Sequence, residues 1–187
     1  MTGSDVVFRV VATSPGNQRL RVEIEVSAPF TSPSLKLSFP RWVPGSYFLR
    51  EPIQHVSHLE AHDEHGNPLK VVRKEVDSIV IKDVQSVETV RIRYLLLCVD
   101  NTVRSNHFDE THLHLMPPFT WFLPVSGIAI NRMNKPHQVE LILPSAWNVS
   151  TQLALQDVQK SEDGRLHVFV AEHRDALLDG IAECNEN

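Results

Sequence analysis

The chain has 187 residues, 42% hydrophobic and 22% charged, an ordinary globular balance and enough length for one domain with a core that needs no staples. Its net charge of −5 and the lack of a basic stripe speak against nucleic-acid binding. No run approaches the roughly 18 apolar residues of a membrane span, and the N-terminal MTGSDVVFRV has neither the basic nor the apolar region of a signal peptide, so a cytoplasmic protein is expected.

Alternation dominates from the start. A first strand is expected over residues 5–12. In RLRVEIEV, Leu20, Val22, Ile24 and Val26 face one way and Arg19, Arg21, Glu23 and Glu25 the other, the pattern of a half-buried antiparallel strand. LKLSF repeats it with Leu35, Leu37 and Phe39. The strand then breaks into FPRWVPGSYFLRE, where Pro40 and Pro44 each fix φ and remove a donor, and Pro44-Gly45 marks a turn. This reads as a rigid loop carrying Trp42, Ser46, Tyr47 and Arg50. Either it plugs the end of a sandwich, or it presents its aromatics to a partner.

Further strands are expected at 54–62, 69–73 and 78–82, and over ETVRIRYLLLCV, where Val90, Ile92, Tyr94, Leu96 and Cys98 share a face. Others follow at 111–116 and 126–131, in QVELILP and in RLHVFVAEH. Turn residues separate them, as at Ser14-Pro15-Gly16-Asn17, His65-Gly66-Asn67-Pro68 and Asp163-Gly164. Only EHRDALLDGI reads as helical, and it is short. The expected fold is an all-β, antiparallel β-sandwich of many short strands with one C-terminal helical turn, its domain covering 1–175 and a tail covering 176–187.

The chemistry-bearing residues form no recognised catalytic motif. Ten histidines are many, but His55 and His58 fall on opposite strand faces, and His58 and His62 lie about 13 Å apart at roughly 3.3 Å per residue. His112 and His114, two apart on one strand, share a face and are the better metal candidates, without an evident third ligand. No G-x-S-x-G, His-Glu-x-x-His or phosphate loop occurs, so no catalytic residue is assigned. Arg104, in DNTVRSNHFDE, is either an exposed loop residue paired with Asp100 or Asp109, or an arginine offered to a partner or a ligand carboxylate. MPPFTWFLP carries Phe119, Trp121 and Phe122 outside any alternating frame, so they either cap the core or form an exposed apolar patch. Cys98 and Cys184 have no metal-like spacing, and nothing in the sequence pairs them.

The order of several segments resembles the N-terminal domain of the glycyl aminopeptidase family, zinc metallopeptidases that also carry a PDZ domain. Trp42-Val43-Pro44-Gly45-Ser46-Tyr47 followed by Leu49-Arg50 is similar to the family's W-x-P-G-S-Y-x-x-R signature. Gly66-Asn67-Pro68-Leu69, Val103-Arg104, LPSAWNVSTQL and ALLDG resemble later segments, so that the likeness covers roughly residues 20–180. It implies a β-rich domain preceding a thermolysin-like catalytic domain, whose zinc helix lies beyond this sequence. Where the family often continues Asp-Ser-Pro, Asp179 is followed here by Gly180-Ile181.

The resemblance therefore implies a non-catalytic accessory or substrate-positioning domain, with the catalytic peptidase domain as its partner in cis or in trans and peptide substrate near the Trp42–Arg50 loop. No cofactor is expected in this chain, since the zinc belongs to the catalytic domain. Two alternatives stand beside it. One is a free-standing module that binds peptide or carbohydrate through Trp42, Tyr47 and Trp121. The other is a small metal site on His112 and His114.

Overall fold

The computed structural model describes residues 4–42 and 49–186. In chain order its strands are β1 (Val6–Val11), β2 (Arg19–Ser27), β3 (Ser34–Ser38), β4 (Val56–His62), β5 (Val71–Glu75), β6 (Ser78–Lys82) and β7 (Thr89–Leu97). They continue with β8 (His107–Phe108), β9 (His112–Leu115), β10 (Leu123–Ser126), β11 (His137–Leu143), β12 (Asn148–Thr151), β13 (Ala154–Ser161) and β14 (Gly164–Ala171). One short helix, α1 (Arg174–Asp179), precedes β15 (Ala182–Asn185). No helix among the described residues is long and apolar enough to cross a membrane.

Three sheets result. The largest runs β13-β14-β11-β1-β2-β7-β4, antiparallel except where β1 lies parallel to β11. The second is β10-β3-β6-β5 and the third β12-β15-β9-β8. The large sheet turns Phe8, Val10, Val22, Ile24, Ile92, Tyr94 and Leu141 inward, as the alternation requires. The second sheet meets it through rings: Phe39, after β3, lies 4.0 Å from Phe122 and 6.4 Å from Tyr94 of β7, centroid to centroid. The third sheet covers the other half, where Leu115 and Ala182 gather with Val139, Leu141 and Phe169 of the large sheet around one small apolar space.

The outer face of the large sheet is charged. Glu23 on β2 lies 3.1 Å from Arg9 of β1 and 3.5 Å from Arg93 of β7, and Arg9 also reaches Glu140 on β11. These cross-strand pairs follow from the β1–β2–β7 register, which sets Arg9 opposite Glu23 and Glu23 opposite Arg93. At an exposed face they contribute little each, and their main effect is to favour one register.

Three sequence expectations are corrected, and one strand, β13, stands where the sequence reading placed none. The strand expected at 126–131 is absent, and the pairing segment is β10, ending at Ser126. Gly127 takes φ +93° with its backbone against Ser34, and the chain beyond it forms a 3-10 turn at Arg132–Asn134. The segment 176–187 is no tail, because β15 inserts between β12 and β9 and buries Ala182 and Cys184. β13 escapes an alternation reading because it is an edge strand exposed along most of its length, Leu155 and Val158 included. In β4 the register shifts between Ser57 and Glu60, with His58 at φ +52°, so the strict alternation assumed for His55, His58 and His62 does not hold across that bulge.

Trp121 is also corrected. It is 1% exposed and its ring lies 5.4 Å from that of Phe8, so it belongs to the core and faces no partner. Trp121→Ala is expected to lower the unfolding free energy by about 3–5 kcal/mol, read from urea melts; a change below 1 kcal/mol would contradict its place in the core.

His137 ties burial to pH. It is 1% exposed, donates from Nε2 to the Met133 carbonyl at 3.1 Å, and leaves Nδ1 buried without a partner. Burial lowers its pKa, because a proton on Nδ1 would be desolvated with nothing to accept it. The folded state therefore binds fewer protons than the unfolded one around the ordinary histidine pKa of about 6.5. Stability is complete above that value and falls as the pH drops through and below it. Urea midpoints at pH 7.5 and 5.5 should differ more for the wild type than for His137→Gln, with equal differences counting against the assignment.

Candidate functional site

The site is built where the C-terminal end of β7 meets three loops. Arg50 and Arg41 close the neck of the Trp42–Arg50 loop, with the Arg50 amide donating to the Arg41 carbonyl at 3.2 Å. The chain then enters a 3-10 turn at Pro52–His55 and runs into β4. Opposite stands the 99–106 loop, which carries Arg104. Between them Pro117 and Pro118 open a 3-10 turn that ends on Phe119. The walls enclose an open cleft of about 410 Å³ with Arg50, Glu51, Asp100, Arg104, Asn106 and Phe119 in its lining.

Arg50 is the best-defined member. Its guanidinium carbon lies 5.9 Å from the centroid of the Phe119 ring, within cation–π range. Its Nε is buried and has no hydrogen-bond partner among the described residues. Arg104 is exposed, and among the described residues it forms no ion pair with Asp100, Asp109 or any other carboxylate. Trp42 is 59% exposed and Leu49 67%, both flanking the loop, and Val103 beside Arg104 is 78% exposed. Pro44, Gly45, Ser46 and Tyr47 lie outside the described residues. Phe119 is buried, its ring serving as the floor beneath Arg50.

Sequence reasoning did not find Asn106, which holds the site together. It is 6% exposed; its Nδ2 donates to the Phe119 carbonyl at 3.0 Å, and its Oδ1 accepts from the Met116 amide at 2.7 Å and the Thr120 hydroxyl at 3.1 Å. One amide thus ties the 99–106 loop to the Met116–Thr120 turn. The only sequence signal was an asparagine just before an apolar strand, which is too common to act on. Asn106→Ala would leave the Phe119 carbonyl and the Met116 amide without partners at a buried point, while the Thr120 hydroxyl keeps the Met116 carbonyl at 2.9 Å, and is expected to cost at least about 2 kcal/mol. Amide exchange should rise first in 116–120; unchanged exchange there would rule out the clasp.

The histidine candidates divide. His114, on the central strand β9, contacts Glu183 of β15 through Nδ1, and its Nε2 is buried without a partner. His112 joins a different group. Its Nδ1 is 3.5 Å from Asp109 Oδ1, and its ring stacks on that of His107 with centroids 4.8 Å apart. His107 Nε2 is 2.9 Å from Asp109 Oδ2. Bonds from the Thr111 side chain and from His107 hold the Asp109 carboxyl well below the usual carboxylate range. The pairing expected for a metal, His112 with His114, is therefore replaced by His107, Asp109 and His112, whose donor atoms all lie within 4.8 Å of one another.

Cys98 and Cys184 are free and buried, with burial pushing both thiols up, Cys184 to about 12. Such thiols are inert.

The peptidase M61 N-terminal domain family matches the chain over residues 8–180. Among solved structures, an aminopeptidase N family protein from Idiomarina loihiensis superposes with a TM-score of 0.82 at 21% identity, over 97% of this chain and 29% of its own. An M1 zinc metallopeptidase from Deinococcus radiodurans gives a TM-score of 0.57 at 9% identity, over 96% of this chain and 41% of its own. A second structure of that peptidase, bound to a Tyr-Ser-Ala substrate, gives 0.56 at 10% identity over the same shares. At these identities the likeness is one of fold, and the chain spans well under half of each. A search of curated proteins finds no match to this chain.

Proposed function

Because the chain belongs to the family of peptidase M61 N-terminal domains, we propose that it is the non-catalytic, substrate-positioning domain of a zinc metalloaminopeptidase and packs on the catalytic domain through the Arg50 cleft. The observation that carries this reading is Arg50 itself. A guanidinium stacked on Phe119, with Nε desolvated and unpartnered among the described residues, lines the cleft, and Leu49 next to it in sequence and Val103 next to Arg104 are exposed, as is Trp42 at the start of the same loop. Exposed large apolar side chains on the segments that carry a fixed cation suit a protein partner, where aromatic and arginine anchors supply most of the binding energy. Arg104, exposed across the same cleft, is suited to a peptide carboxylate.

The catalytic zinc does not fit this chain. Its sequence has no His-Glu-x-x-His, and the His107, Asp109 and His112 group lacks the glutamate base that such a helix supplies. In this reading metal and chemistry reside in the catalytic domain, and this chain binds and orients. The proposed compartment is the cytoplasm, where free buried thiols such as Cys98 and Cys184 persist.

The chain alone is expected to show no turnover of amino-terminal glycyl or alanyl substrates. Added to an M61 catalytic domain stripped of its own N-terminal domain, it should form a complex measurable by calorimetry. Trp42→Ala, at an exposed position, and Arg50→Ala should each weaken that complex at least about 10-fold, a loss of roughly 1.4 kcal/mol. For Trp42→Ala the thermal midpoint should stay unchanged. Turnover by the chain alone, or an unweakened complex with a stability loss of several kcal/mol in Trp42→Ala, would overturn the proposal.

A further inference from the structure

We propose that His107, Asp109 and His112, at the tip of the β8–β9 hairpin, form a binding site for a borderline divalent cation, zinc above all. This site is independent of the peptidase reading.

The hairpin dictates the grouping. Phe108 pairs with Leu113 and His107 with His114, so the next position sets Asp109 opposite His112, and the Asp109 amide donates to the His112 carbonyl at 3.1 Å. Residues two apart share a strand face and directly opposed residues share it too. His107, Asp109 and His112 are therefore brought to one face, while Phe108 and Leu113, both fully buried, anchor the other face in the core. The turn is short and its apolar side is held, so the three donors are preorganised.

The spacing suits a small ion. Ligand atoms about 2.0–2.1 Å from a tetrahedral zinc lie about 3.3 Å from one another. His107 Nε2 to Asp109 Oδ2 is 2.9 Å, and one ligand atom from each of the three side chains lies within 4.8 Å of the others. His112 Nδ1 is 2.9 Å from the Thr111 hydroxyl, which already donates to Asp109 Oδ1, so Nδ1 carries that ring's proton and Nε2 is the nitrogen free to offer to an ion. Asp109 Oδ1 is already saturated, accepting from the Thr111 amide and hydroxyl at 2.7 Å each and from the His112 amide at 3.1 Å. Those bonds hold the carboxylate in place and leave Oδ2, whose contact is His107, as the oxygen offered to an ion. Two imidazoles with one carboxylate select zinc over calcium or magnesium, which prefer all-oxygen shells. The side chains of Asp109 and His112 are 36% and 32% exposed, so the ion has a path in and room for water as a further ligand.

One feature limits the affinity. Binding through His107 Nε2 moves that ring's proton to Nδ1, which is buried and without a partner. The site is therefore weaker than a closed four-ligand structural zinc site.

The test titrates the chain with zinc chloride and, separately, cobalt chloride at pH 7.5. One equivalent is expected, with visible cobalt absorption bands of low coordination number and a zinc-dependent rise in the thermal midpoint. His112→Ala and Asp109→Asn should each weaken binding at least about 10-fold, while His65→Ala, on a distant exposed turn, should not. If Asp109→Asn loosens the turn, His112→Ala still decides, because its side chain lies on the solvent side of the sheet. No cobalt spectrum at one equivalent, or equal affinity in wild type and His112→Ala, would overturn the site.

Discussion

The contact between Tyr94 and the segment that follows β9 organises this domain. Tyr94 sits near the middle of β7, in the large sheet, with its ring edge-on to Phe122 and Phe39 and its hydroxyl donating to the Thr120 carbonyl. The rings join two sheets through apolar area, and the hydroxyl satisfies a backbone carbonyl that would otherwise be buried unpaired. With Thr120 pinned, Trp121 is directed onto Phe8, and the turn carrying Phe119 is held at the edge of the core. The cleft floor is thus an extension of the core.

From that anchor the site is assembled by groups that are individually modest. Asn106 ties the opposite loop to the same turn, and the Arg50 guanidinium rests on Phe119. Both are tied to the Met116–Thr120 turn. In the docking role proposed for it, a surface built this way would lose little entropy on binding. It also explains why an exposed Trp42 and a desolvated Arg50 can coexist a few residues apart: the loop neck is fixed while its flanks remain available.

The histidines show how burial sorts one residue type into different roles. His137 is locked as a neutral donor in the core, His167 is likewise lowered by burial, and His58 and His65 sit in solvent. His107 and His112 lie at a hairpin tip around one carboxylate. Their number alone says nothing of metal; the strand register does.

Sequence alone determined the strands whose side chains alternate: β2, β7, β11 and β14 stand where Leu20 to Val26, Val90 to Leu96, Val139 to Leu143 and Leu166 to Val170 predicted them. It determined the all-β class, the short helix and, through the Trp42 to Arg50 signature, the family, because alternation and motifs are local properties of the chain. Only the tertiary structure decided that Trp121 is core and Phe119 the cleft floor, since neither lies in an alternating frame and each takes its place from a distant partner. The same holds for β15, whose four residues pair with strands more than 30 and some 70 positions earlier. It holds too for His112, which shares a face with His114 on its own strand but meets His107 and Asp109 across a turn. Which residues share a face is written in the spacing; which faces meet depends on long-range register, and that is a property of the packed fold.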